Sequence, residues 1–239
     1  MWPFSDKVLV GDSGLLDGFR DCHCHLLPAV DDGVKTLDET IQILEEWELH
    51  GVREVWLTPH IMEDIPNEPE DLRQRYEKLK QANQTSVELH LAAEHMLDGL
   101  FVKRWAEKVV MPIGHEGTRL LVETSYYTPP MNLSGILDDI RRKGYEPVLA
   151  HPERYQYMDR KDYRRWKDSG VLLQLNLPSL AGAYGPKVMK KAEWLLKENM
   201  YDYCGTDTHS FEQMMFFLNS KISKKSVRKV KLISDRQEL

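Results

Sequence analysis

The sequence lacks most of the features that settle a protein's class at a glance. Only three cysteines, Cys22, Cys24 and Cys204, occur among 239 residues. So sparse and odd a set cannot build a disulfide framework, and a reducing, cytosolic setting is the simpler expectation. No apolar run approaches the roughly 18 residues of a membrane span. The stretch Met1–Lys7 lacks the uninterrupted apolar segment of a signal peptide. A basic excess is missing as well: 32 Lys and Arg against 38 Asp and Glu leave a formal charge of −6, which argues against nucleic-acid binding. There is no low-complexity tract, no linker and no repeat. There is no GxxxxGK[ST], which excludes a P-loop kinase. A cysteine-based tyrosine phosphatase needs an arginine six positions after its nucleophile. Here those positions hold Pro28, Val30 and Ser210, and that mechanism is excluded.

What is present is an ordinary globular balance, 41% hydrophobic and 29% charged, in a chain long enough to bury a core without staples. Short apolar strands begin near Phe19, Arg53, Val87, Arg119, Glu146, Val171 and Asp202. Amphipathic helices fill the gaps between them. That alternation predicts βαβ units and a largely parallel sheet, and seven strands suit one α/β barrel across residues 1–239 better than two domains. Thr36 with Glu39 predicts a capping box, Leu37, Ile41 and Leu44 share one face, and Gly51 fits the position after the helix end. Ser134 is expected to cap a helix stopping near Gly144, and Asp159 one stopping near Gly170. Pro186 can open another in its first turn. Pro112–Gly117 and Pro178–Gly185 read as loops.

The chemistry gathers where strands end. In Asp21-Cys22-His23-Cys24-His25, strand alternation puts both imidazoles on one face and both cysteines on the other. Alone, such a pair is a weak signal, more often part of a packed strand than a metal site. Later strands repeat the chemistry, however: they run into Thr58-Pro59-His60, Ala92-Ala93-Glu94, Glu123, His151-Pro152-Glu153-Arg154 and Asp207-Thr208-His209. In parallel α/β barrels these carboxyl ends converge on the active site. Asp32, in the turn Asp31-Asp32-Gly33, can lend a further carboxylate. His23, His25, Asp32, His60, Glu94, Glu123, His151, Asp207 and His209 then supply five imidazoles and four carboxylates. Such a mixed set suits Mn²⁺, Fe²⁺ or Zn²⁺, and nine ligands exceed what one or two ions require. Three divalent ions against four carboxylates leave about +2, complementary to a phosphate dianion.

The ordered set HxH, DDG, TPH, two strand-terminal glutamates, HPER and GTDxH resembles the polymerase-and-histidinol-phosphatase (PHP) superfamily. Within it, HCHLLPAVDDGVKT, WLTPHIMEDIPN, LLVETSYYTPP and VLAHPERYQYM are similar to the bacterial capsule-type protein tyrosine phosphatases. The resemblance runs from about Phe19 to His209. It implies a distorted (β/α)7 TIM-like barrel, three divalent ions with Mn²⁺ foremost, and hydrolysis of phosphotyrosine by a metal-activated water. The implied substrate is a membrane tyrosine autokinase of capsule or exopolysaccharide synthesis, which would draw a cytoplasmic enzyme to the inner face of the membrane. The resemblance also divides the ligands. One ion would take His23, His25, Glu94 and Asp207; Glu94 would bridge to a second, completed by Glu123 and His151; Asp32, His60 and His209 would hold the third. Glu94 and Asp207 are thereby catalytic as well as ligating. Many members of the subfamily carry an arginine shortly after the final DxH. Here that stretch, residues 210–215, has none, which leaves Arg154 of HPER as the phosphate-binding arginine. Rival readings are a small-molecule phosphatase of the histidinol-phosphate type, a metal-bound but inactive docking module and, disfavoured by charge, a metal-dependent nuclease.

Other signals are weaker. His50, His90, His95 and His115 lie outside the motifs and read as structural or exposed, although alternation puts His90 on the face of Glu94. Tyr126, Tyr127, Tyr155 and Tyr157 either wall a pocket for an aromatic substrate or are ordinary loop aromatics. Residues 221–231 hold six basic residues and no acid, which reads as a solvated helix face before a contact for anionic lipid or an acidic partner.

Overall fold

A computed structural model describes residues 6–237 and 239; Met1–Ser5, part of the stretch read for a leader, lie outside the described residues. The chain begins with β1 (Lys7–Leu9), β2 (Arg20–Cys24), α1 (Leu37–Leu49), β3 (Glu54–Leu57), β4 (His60–Ile61) and α2 (Pro69–Ala82). It continues through β5 (Glu88–Leu91), β6 (Glu94–Met96), α3 (Gly99–Glu107), β7 (Arg119–Glu123), α4 (Leu133–Arg142) and β8 (Glu146–Leu149). A 3-10 turn (Pro152–Arg154) precedes α5 (Arg160–Asp168), β9 (Leu172–Asn176), α6 (Leu177–Leu180), α7 (Gly185–Lys197) and β10 (Tyr203–Gly205). The last elements are α8 (Phe211–Leu218), β11 (Lys221–Ser223) and α9 (Lys224–Ser234). The seven anticipated strands are β2, β3, β5, β7, β8, β9 and β10, and each pairing among them is parallel.

These strands form a mixed α/β structure around a curled parallel sheet in two hydrogen-bonded pieces, β10-β9-β8-β7-β6-β4 and β2-β3-β5. The division has a local cause, because two strands break in mid-course. Beyond β3, Thr58 N–H still donates to Cys24 O at 2.8 Å. Pro59 then has no N–H to give, and the chain resumes as β4, paired with β6. Beyond β5, Ala93 N–H turns to Met111 O at 3.1 Å before β6 begins. At the opposite margin, Asp207 N–H donates to His23 O at 2.8 Å and His25 N–H to Thr208 O at 2.9 Å, so the last parallel strand ends beside the first. The termini add an antiparallel pair, β1 with β11, which strands of three residues do not announce in sequence. No helix among the described residues is long and apolar enough to cross a membrane.

Most of the helix punctuation appears where the sequence placed it. Asp159 and Asp162 make a full capping box, Pro186 opens α7, and Gly51, Gly144 and Gly170 follow helix ends at positive φ. Thr36 Oγ1 caps α1, accepting from Glu39 N–H at 3.2 Å, but the box is not reciprocal. The Glu39 carboxylate accepts from Phe211 N–H at 3.0 Å instead, tying α1 to α8. The buried stripe of α1 is Thr40, Ile43, Leu44 and Trp47, with Leu37 exposed. Asn132 rather than Ser134 precedes α4, and the Pro178–Gly185 loop contains most of α6. One apolar cluster fills the space between sheet and helices, and a smaller one of Cys22, Trp56, Ala92, Leu121, Val148 and Tyr203 fills the hollow of the sheet. Cys22 and Cys24 fall into different clusters because the pairing of β2 with β3 shifts register between Asp21 and Cys24. Strict alternation fails there, and the cysteines do not share a face.

Candidate metal centre

The site assembles from strand ends. Despite the register shift, His23 and His25 bring their Nε2 atoms within 3.1 Å of each other. Each ring is aimed from behind. His25 Nδ1 donates to Asp31 Oδ2 at 2.8 Å, and His23 Nδ1 to Gln174 Oε1 at 3.1 Å, leaving each Nε2 lone pair toward the cluster. Glu94, fully buried at the start of β6, puts Oε2 at 3.2 Å from His23 Nε2, 3.3 Å from His25 Nε2 and 3.2 Å from His60 Nδ1. Its other oxygen lies 2.9 Å from His151 Nε2. Asp207 Oδ1 lies 3.4–3.5 Å from nitrogens of His23, His25 and His209. Asp32 Oδ1 is 3.5 Å from both His60 Nε2 and His209 Nε2. Among the described residues, four groups of side chains could hold a divalent ion here: His25–Asp32–His60–His209, His23–His25–Asp207, His23–Glu94–His151 and His60–Glu94–Glu123. Together they contain the nine residues picked out in the sequence and no other.

The donor set has the dimensions a cation requires. Charged N–H···O bonds run at about 2.7–2.9 Å, shorter than most of these separations. Donor atoms each about 2.0–2.2 Å from one ion stand about 3.0–3.5 Å apart, which matches them. Glu94 Oε2, Glu123 Oε1 and His60 Nδ1 are buried without a hydrogen-bond partner, an omission costing about 1–3 kcal/mol per group unless a cation serves them. The electrostatics show the same want. Burial pulls the His23 and His60 rings down, yet Glu94 together with Asp207 at His23, and Glu94 together with Glu123 and Asp31 at His60, outweighs it and raises them to about 9 and about 10. Burial likewise pushes Glu94 and Asp207 up, while the surrounding groups together, His23, His60 and His151 at Glu94 and His23, His209 and Arg154 at Asp207, hold them below the usual carboxylate range. The cluster thus concentrates negative charge that calls for a positive partner. The backbone is strained at the same place, with φ of +33° at His151 and +52° at Asp207, about 1–3 kcal/mol each.

Arg154 closes one side. Its guanidinium lies 4.3 Å from the ring centroids of both Tyr126 and Tyr184. Its Nη1 donates to Asp207 Oδ2 at 2.9 Å, an oxygen that also accepts from Asn176 Nδ2 at 2.7 Å. The cavity bounded by Arg154, the two tyrosines and the ligand cluster measures about 160 Å³. Of the four tyrosines noted in sequence only Tyr126 lines it. Tyr127 is exposed, Tyr155 is buried with its hydroxyl accepting from Thr124 N–H, and Tyr157 hydrogen-bonds Thr124 Oγ1. Asp31, Gln174, Asn176 and Tyr184 went unread in the sequence. Gln174 and Asn176 were accessible to it, since they alternate along β9 as the imidazoles do around β2. Gly205 is required next to the centre, because a Cβ there would stand 2.7 Å from His23 Cβ.

The remaining histidines separate. His95 is structural: its Nε2 accepts from Met111 N–H at 3.2 Å, and burial, with Arg104 adding, lowers it to about 4. His50 faces Glu46 within α1 and its end. His90 does not share the face of Glu94, because the chain breaks at Ala92-Ala93; it lies with Glu54 and His115 instead. The three thiols are fully buried and burial raises each of them, so none is a poised nucleophile.

A curled parallel α/β scaffold with an imidazole–carboxylate cluster at the carboxyl ends of its strands is the build of a metal-dependent hydrolase. Comparison with known proteins gives the class its family. The chain belongs to the capsular polysaccharide synthesis CpsB/CapC family, whose model matches residues 19–229. Tyrosine-protein phosphatase YwqE of Bacillus subtilis is 26% identical over 202 residues, 82% of this chain and 79% of that protein. Tyrosine-protein phosphatase CpsB of Streptococcus pneumoniae is 27% identical over 205 residues, 80% of this chain and 83% of that one. Among solved structures, one from the pair YwqE of Bacillus subtilis and CpsB of Streptococcus pneumoniae, described as unique metal-dependent tyrosine phosphatases, matches with a TM-score of 0.76. It covers 91% of this chain and 86% of that chain at 22% identity.

Proposed function

We propose that this chain hydrolyses phosphotyrosine on a protein, the partner being a membrane tyrosine autokinase of capsule or exopolysaccharide export met at the cytoplasmic face. The observation that carries this reading is the cavity above the ligand cluster. At about 160 Å³ it falls well below the roughly 300–1,000 Å³ of pockets that enclose a whole small molecule. Such a site receives a group presented from outside, as a phosphoryl on a protein side chain is. The nine residues would hold three divalent ions, Mn²⁺ foremost, divided as the resemblance implies, with His60 facing two of the groups through its two nitrogens. Bound there, the ions supply an activated water and neutralise phosphoryl charge. The rest falls to the chain. Asp207 gives Oδ1 to the ligand set and Oδ2 to Arg154, so the ligand and the arginine orient each other. The two rings hold the guanidinium plane so that its remaining N–H groups can grip phosphate oxygens in a fork. The two sheet pieces are read as one (β/α)7 barrel of the PHP type and the chain as one domain, a reading supported by the hydrogen bonds between the ends of β2 and β10.

The test compares a phosphotyrosine peptide with histidinol phosphate on the Mn²⁺-loaded enzyme. The expectation is a kcat/KM at least tenfold higher on the peptide. Preference for histidinol phosphate would instead install the small-molecule reading, and no turnover of either would leave a docking module.

A further inference from the structure

At the amino ends of the strands, away from the centre described above, a second set of ligand atoms converges. Glu54 opens β3 and His90 lies in β5, where the register sets Glu54 beside Glu88 and Trp56 beside His90. Alternation puts Glu54 and Trp56 on one face of β3, and Glu88 and His90 on one face of β5. His115 arrives from the loop before β7. Glu54 Oε1 is 3.5 Å from His90 Nε2 and 3.4 Å from His115 Nε2, and Glu88 Oε1 is 3.3 Å from His90 Nε2. We propose that Glu54, His90 and His115 form a second, structural site for one Zn²⁺ ion, with Glu88 or a water as the fourth ligand.

Three observations support this assignment. Bonds of about 2.0–2.1 Å in a tetrahedron separate neighbouring ligand atoms by about 3.3–3.4 Å. The three contacts have that spacing and exceed the usual length of a charged hydrogen bond. His90 Nε2 is buried yet makes no hydrogen bond, although two carboxylate oxygens stand near it, so its lone pair is available to an ion. Burial first, with His115 and Lys80 adding against Glu54 and Glu88, lowers His90 from its ordinary value, which favours the neutral, ligating ring. The surroundings also hold the ligands in place. Trp56 stacks on His90 with ring centroids 4.7 Å apart, and its Nε1–H donates to Glu54 Oε1 at 2.8 Å. Arg20 Nε stands 3.4 Å from the other oxygen, Oε2. Two imidazoles with one or two carboxylates suit Zn²⁺ among the common divalent ions. The break at Ala92-Ala93 separates His90 from Glu94, and this set has no residue in common with the four groups of the first centre. An ion here would tie β3, β5 and the 113–117 loop together across the mouth of the sheet opposite the active site.

The test uses the full chain, Zn²⁺ as the probe, and two variants, His115→Ala on the exposed loop and His90→Gln. Wild type and variants are equilibrated with micromolar Zn²⁺, exchanged into metal-free buffer and assayed for bound metal and for melting temperature. The wild type should retain one more equivalent of Zn²⁺ than either variant, and Zn²⁺ should raise its melting temperature further than theirs. Turnover of p-nitrophenyl phosphate by the Mn²⁺-loaded proteins should agree within twofold, because neither residue touches the first centre. Equal Zn²⁺ content in the wild type and His115→Ala overturns the assignment. So does a difference that emerges only at millimolar Zn²⁺. If His90→Gln does not fold, His115→Ala alone decides, since that side chain is 57% exposed and outside the core.

Discussion

Arg154→Lys is the most informative single change. The wild-type guanidinium is held by three contacts, the Asp207 carboxylate at 2.9 Å and two tyrosine rings at 4.3 Å each. Lysine keeps the charge and can keep the carboxylate. It cannot lie flat between two rings or offer a planar fork. A desolvated cation–π contact is worth up to about 2 kcal/mol, and one charged hydrogen bond to the phosphoryl about 1.5–3 kcal/mol. The stacking acts in the resting enzyme and the transition state alike, so only the lost phosphate contact should emerge in the kinetics. The expected fall in kcat/KM is therefore about ten- to a hundredfold, at 1.4 kcal/mol per factor of ten. The assay is turnover of a phosphotyrosine peptide by Mn²⁺-loaded protein, with metal stoichiometry measured on the same samples. The stoichiometry should not change, because the charge beside Asp207 Oδ2 is kept. A kcat/KM within threefold of wild type would refute the phosphate clamp. A fall explained by missing metal would assign Arg154 to support of Asp207 instead.

Prolonged chelation should abolish turnover, and Mn²⁺ should restore it better than Mg²⁺, which prefers oxygen ligands and retains its waters; full activity in excess EDTA would sink the metal argument. Replacing Cys22, Cys24 and Cys204 together by alanine should lower the melting temperature, since all three are fully buried, yet leave turnover within about tenfold, whereas His60→Ala or Asp207→Asn should cost on the order of a hundredfold or more. Loss of turnover on thiol alkylation, in protein still folded and metal-loaded, would contradict this. Asp31→Asn, which weakens the acceptor behind His25, should cost about 10- to 100-fold in metal affinity at little change in kcat once saturated; metal titration of activity reads both numbers.

The sequence carried the seven parallel strands because each is an apolar run bounded by turn residues. It carried the nine positions that converge at the strand ends because imidazoles and carboxylates recur where such runs stop. It did not carry the breaks after β3 and β5. Those depend on which neighbour accepts a single N–H, and the misplacement of His90 followed directly from the break at Ala92-Ala93. The supporting residues were hidden for a different reason. Asp31 and Asp32 are chemically identical neighbours, and only the fold shows that one aims His25 while the other faces His60 and His209. The basic segment 221–231 was also partly misjudged as solvated. Lys229 Nζ donates to Leu196 O and Lys197 O, capping the end of α7, and Lys231 Nζ donates to Gly14 O.

The seam between the first and last parallel strands has a consequence for how the molecule matures. Asp21, just before the HxH pair, accepts from Thr206, just before the DxH pair, across 185 positions of chain. On a ribosome the imidazoles of His23 and His25 therefore emerge long before Asp207 exists to join them. Closing a loop of that length costs about 4–5 kcal/mol in chain entropy, and almost nothing local repays it until β10 docks. Of the four groups, the two that take Asp207 or His209 could load only late, and an ion that binds only the closed state would hold that closure by mass action. A cell starved of the metal would then lack more than catalytic power: its newly made chains would linger with an open seam, exposed to proteases at both ends of the sheet.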